Sequence, residues 1–114
     1  MAVAAPEYID PSSLAELRAV LDAEVLLGLM SKFIQDTETG LDTVEQGTSS
    51  DMEMAEILHK IAGSAAALGV VRFRQELIAA ENALRNGQNT QANELIEGLR
   101  STWNETKNRL NAAL

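Results

Sequence analysis

The chain has 114 residues, no cysteine, one histidine and a formal net charge of −8. That length suggests one domain. The missing cysteines exclude a disulfide framework and a cysteine-based zinc site, and the acidic balance argues against binding nucleic acid or an anionic membrane surface. Aromatic residues are only 4%, while Ala, Leu, Glu and Asn are frequent, a mixture that favours helix over strand.

Residues 1–9 read as a flexible lead-in. The start, MAVAAPEYIDP, has neither a basic n-region nor a long apolar stretch, so no signal peptide is expected. No apolar run approaches the roughly 18 residues a membrane span needs, and a cytoplasmic protein is the expectation. Asp10-Pro11 predicts a helix start, with Asp as cap and Pro in the first helical position; Ser13 with Glu16 is an alternative capping box for the same helix. Leu14, Leu17, Val20 and Leu21 form its apolar stripe.

A second helix is predicted from about Asp22, with Val25, Leu26, Leu29, Met30, Phe33, Ile34, Leu41 and Val44 at helical spacing. Gly47 and the Thr-Ser-Ser that follows break it. Ser50 and Glu53 fit a capping box for a third helix, which should end at Gly69. In a fourth helix Phe73, Leu77, Ala80 and Leu84 face inward, and it stops at Asn86-Gly87. Thr90 is a candidate cap for the last helix. There Ala92, Ile96, Leu99, Trp103, Thr106, Leu110 and Ala113 form a one-sided seam. The expected fold over residues 10–114 is all-α: an antiparallel four-helix bundle with a short additional N-terminal helix. The last seam is also compatible with a dimerising coiled coil, although a monomer is expected.

The single histidine lies in LHKIAGSAAALG, residues 58–69. Each helical residue turns the chain by about 100°. With Leu58 at zero, Met54, Ile57, Ile61, Ala65 and Leu68 fall between roughly −20° and −100°, while His59 stands at about +100°. His59 is therefore predicted to point away from the core. Its surface neighbours are Ala55, Ala62, Gly63 and Ala66. All are small, and an interior helical glycine costs roughly 1 kcal/mol relative to Ala. The pattern has two readings. A partner comes close to His59, or two helices of the bundle come close along the small residues and His59 is incidental at their border.

His59, Lys60, Ile61, Ala62, Gly63, Ser64, Leu68 and Gly69 resemble the motif of the histidine-containing phosphotransfer (HPt) domain family of two-component phosphorelays. Leu29 to Phe33 resembles the helix that precedes the family histidine, and Leu77 to Glu81 with Gly87 the helix that follows. The resemblance covers about residues 12 to 113. It implies a phosphocarrier rather than an enzyme, which accepts a phosphoryl group on His59 from a phospho-aspartyl receiver domain and passes it to another receiver. The implied partners are response-regulator receiver domains and a sensor or hybrid histidine kinase. The resemblance places Mg²⁺ in the receiver's acidic pocket and no cofactor or metal in this chain. Ala55, Lys60, Ala62, Gly63, Ser64 and Ala66 are the expected docking residues.

One position departs from the family pattern: Ala62 stands where a lysine usually assists the phosphoryl group. Lys60 is about 100° away around the helix. If the third and fourth helices turn back near Gly69, Glu81 and Asn82 lie level with His59 and are candidate partners for its other ring nitrogen. Ser64 is expected to bond back to a helix carbonyl, and Trp103 to lie in the core. The competing class of function is a helical adaptor that binds a partner through the same small-residue patch without phosphorylation. A free-standing enzyme has no support, since no phosphate-cradling loop, nucleophile–base pair or metal-ligand cluster is apparent.

Overall fold

The structure is a computed structural model and describes residues 7–113. Five helices follow one another: α1 (Pro11–Val20), α2 (Ala23–Glu45), α3 (Asp51–Ala67), α4 (Arg72–Arg85) and α5 (Asn89–Ala113). Helices α2 to α5 form the antiparallel bundle, each packing on the next and α5 returning to α2, while α1 lies against α2. Among the described residues the only β pairing is an isolated bridge between Ile9 and Val70. No helix among them is long and apolar enough to cross a membrane.

The helix ends follow from short-range chemistry. Asp10, not Ser13, caps α1: its carboxylate accepts from the Ser12 amide at 3.0 Å and from the Ser13 hydroxyl at 3.3 Å. Ser50 and Glu53 close a complete capping box at the start of α3, a reciprocal arrangement that satisfies two otherwise orphaned amides. Thr90 is not a cap, because α5 already begins at Asn89 and the Ala92 amide bonds back to the Gln88 carbonyl. Gly69 ends α3 with φ +72°, and a Cβ there would sit 2.5 Å from Ser13 Cβ. Only glycine meets both conditions.

That turn is also gripped by the N-terminal segment. The Val71 amide donates to the Tyr8 carbonyl at 3.0 Å and the Asp10 amide to the Gly69 carbonyl at 2.8 Å. The Arg72 and Arg109 guanidinium groups lie 4.0 and 4.5 Å from the centre of the Tyr8 ring. Tyr8 and Ile9 are thus built into the fold, which corrects the expectation of a loose lead-in for those two residues. Of the rest, Glu7 is exposed, and residues 1–6 lie outside the described residues.

The core centres on Trp103, fully buried, with Phe33 edge-on at 5.6 Å and Phe73 tilted at 5.3 Å. The α5 seam of Ala92, Leu99, Trp103, Thr106 and Leu110 is buried inside the bundle, so the stripe is used within one chain. Val20, Val25 and Leu29 stand at the spacing of the apolar stripes but are 77%, 49% and 45% exposed. Helix α1 is short and covers only part of α2, so the α1–α2 corner stays open.

Polar contacts at the rim join α2 to α5. Glu38 accepts from the Trp103 indole at 2.9 Å, from Lys107 at 2.7 Å and from Arg100 at 2.8 Å. Arg100 also reaches Asp42 and Glu45, each at 2.8 Å. The Lys107 ammonium, then the Trp103 N–H and the Arg100 guanidinium, hold the Glu38 carboxyl at about 2 against the opposing effect of burial. A folded-state value below the ordinary one stabilises the fold above pH about 4.5, and this contribution disappears as pH falls toward 2. Thermal unfolding followed by circular dichroism should show the midpoint dropping between pH about 5 and about 2.5. Glu38→Gln should be less stable than wild type at neutral pH and should show a shallower acid drop.

Candidate functional site

His59 lies near the middle of α3, whose inward residues Leu58, Ile61 and Ala65 are all buried, as is Leu68 at its C-terminal cap. The helical offset then forces residue 59 outward, and its side chain is 71% exposed. The ring is not loose. Its Nδ1 lies 3.2 Å from each carboxylate oxygen of Glu81 on α4. A carboxylate can only accept, so Nδ1 is the donor in this contact, and in the neutral ring Nε2 is the nitrogen with the free lone pair.

Glu81 is held in turn. It is only 8% exposed, and Arg85, one turn further along α4, donates from Nε to its Oε2 at 2.8 Å. The Arg85 Nη1 rests on the thioether of Met52 at 3.4 Å. The result is a chain of contacts across the α3–α4 seam, His59–Glu81–Arg85–Met52. The level of Glu81 follows from the hairpin register. Arg85 was not singled out from the sequence, although its i,i+4 spacing from Glu81 is a readable signal.

The six docking residues expected around His59 divide. Lys60, Gly63, Ser64 and Ala66 are exposed. A Cβ placed on Gly63 would meet nothing within 4 Å, so no contact inside the fold requires a glycine there. Ala55 and Ala62 are 0% and 5% exposed, and this corrects their assignment to the docking surface. They are buried because α4 packs closely along α3, and alanines on both helices (Ala55, Ala62 and Ala65 with Ala80 and Ala83) belong to the core. The small residues around His59 therefore divide. Ala55 and Ala62 serve a helix seam, while Gly63 and Ala66 leave open surface.

Lys60 lies on the other flank of α3. With Ser64 it lines a groove of about 510 Å³ between α2 and α3, alongside Asp36, Thr43 and Ile61. It therefore does not share the seam that holds Glu81 and Arg85. Ser64 is exposed on that groove. Among the described residues no group of three or more His, Asp or Glu side chains is placed to hold a metal ion.

The family model for the Hpt domain matches residues 28–113. The chain belongs to the Hpt domain family. That match takes in most of α2 and all of α3, α4 and α5, including His59. No curated protein sequence and no solved structure matches the chain. Membership carries histidine phosphotransfer in two-component phosphorelays as the general role, and Hpt domains are phosphocarriers rather than catalysts.

The geometry makes a direct prediction about the ring. In wild type, ¹⁵N NMR of the single histidine should show neutral imidazole mainly protonated at Nδ1. Glu81→Ala should shift the population toward the Nε2-protonated form. Glu81→Gln, which retains an acceptor oxygen, should keep it. An unchanged tautomer in Glu81→Ala would remove Glu81 from this role.

Proposed function

We propose that His59 is the phosphoryl acceptor of this Hpt domain and that the chain relays phosphoryl groups between receiver domains in the cytoplasm. The observation that carries this reading is a histidine exposed at 71% whose Nδ1 is fixed by a buried carboxylate. Such a ring presents one nitrogen, Nε2, as a pre-oriented nucleophile.

In the proposed step the Nε2 lone pair attacks the phosphorus of an aspartyl phosphate on a receiver. The N–P bond forms as the acyl O–P bond breaks, and the electron pair leaves with the receiver's carboxylate. Nδ1 keeps its proton, so positive charge develops on the ring where it faces Glu81. Phosphoryl transfer depends mainly on positioning and charge neutralisation. This chain supplies the positioned nitrogen, while Mg²⁺ and the acidic pocket belong to the receiver. The exposed residues Lys60, Gly63, Ser64 and Ala66 form the docking surface. Gly63 supports this because the space above it is open. The reverse step, onto a second receiver, uses the same nitrogen as leaving group.

The test is incubation with a panel of phosphorylated receiver domains. Wild type should acquire an acid-labile, base-stable label, and His59→Gln should acquire none. Label on neither protein across the panel would overturn the reading, and unchanged biological output in His59→Gln would favour the adaptor instead.

A further inference from the structure

Two rungs cross the α3–α4 seam beside the ring. One joins His59 to Glu81 at 3.2 Å, and the other sets Arg85 Nη1 3.4 Å from the Met52 sulfur. Met52 and His59 are seven residues apart on α3, about two helical turns, so they share one face. Glu81 and Arg85 are one turn apart on α4, joined by the 2.8 Å bond from Nε to Oε2. The second rung is chemically odd. Met52 is 57% exposed, and a thioether is a weak acceptor for a guanidinium. We propose that Met52 is a modification site, oxidised to the sulfoxide by a hydroperoxide, and that its oxidation resets the contacts that hold His59. The consequence for phosphoryl relay rests on His59 being the phosphoryl acceptor.

In the chemical step a sulfur lone pair attacks the terminal oxygen of the hydroperoxide. The S–O bond forms as the O–O bond breaks, and the sulfur is oxidised by two electrons. The terminal oxygen's proton passes to the leaving oxygen, which departs as an alcohol, or as water from hydrogen peroxide. Exposure singles out Met52 among the described methionines, because Met30 is 1% exposed and Met54 packs against the core. The product replaces a soft apolar sulfur with a polar oxygen. Sulfur and Nη1 are 3.4 Å apart, while an N–H···O bond by itself spans about 2.9 Å. The new oxygen therefore has no room between them until the guanidinium turns. The Arg85 side chain is 37% exposed and free to do so. As Nη1 follows the oxygen, Nε is drawn off Glu81. That carboxylate is 8% exposed, and a buried charge that loses a partner leans on the one that remains. Its field then favours the protonated imidazole over the neutral ring.

The test is mild hydrogen peroxide treatment of the whole chain, with Met52→Leu as control and each protein compared with its own untreated state. Peptide mapping should find the added oxygen on Met52 before Met30 or Met54. In oxidised wild type the Arg85 Nε and His59 ring ¹⁵N signals should both move at constant pH, and a methionine sulfoxide reductase should return them. In treated Met52→Leu neither should move. Met52→Gln, which carries a permanent side-chain oxygen, should resemble oxidised wild type without peroxide. Phosphoramidate transfers its phosphoryl group to an imidazole nitrogen and releases ammonia, so it loads the single histidine without a partner. That loading should slow at neutral pH in oxidised wild type and recover on reduction. Oxygen found on Met54 in place of Met52, His59 signals unmoved by a Met52 sulfoxide, or loading unchanged by it would each overturn the inference. Should these readouts respond as expected while no phosphorylated receiver donates to wild type, the Met52 site stands and the relay reading fails.

Discussion

The close packing of α3 on α4 is the constraint on which the site depends. Buried alanines on both helices let the backbones approach along their length, and Gly69 alone permits the turn that folds one back on the other. That approach fixes the level of α4 against α3. A carboxylate on the second helix then meets a ring nitrogen on the first, and neither helix by itself positions the pair. The tie between the N-terminal segment and the turn strengthens the same arrangement, because Asp10 and Tyr8 hydrogen-bond to Gly69 and Val71.

Much of this was legible in the sequence because it arises from local rules. Ser50 and Glu53 stand at capping-box spacing. Gly47, Gly69 and Gly87 stand where helices end, and all three have positive φ. The outward direction of His59 is a matter of angle, since four buried neighbours leave it no other way to point. The facing of Glu81 followed from counting residues back through a turn.

The parts that were not legible depend on how near one helix comes to another. A helical wheel weights large apolar side chains, so it centres the inward face of α3 on Met54 and Ile61. Alanine side chains allow α4 to pack so closely that Ala55 and Ala62 are covered, and the buried arc widens toward His59. The exposure of Val20, Val25 and Leu29 is the converse case: apolar residues at helical spacing with no helix long enough to cover them. The Glu38 cluster joins residues more than sixty positions apart, a separation at which periodicity carries no information.

The two flanks of α3 present different chemistry. Toward α4 lies a carboxylate that reaches the ring, with a guanidinium behind it. Toward α2 lies an open groove with Lys60 and Ser64 on its edge. On the proposed reading, one flank governs the state of the nucleophile and the other meets the partner. The residue that orients the ring is then not among those that meet the receiver. Substitution at 81 would change the nucleophile and leave the α2-facing groove intact. A bundle built this way lets the reactivity of its histidine and the choice of partner vary separately.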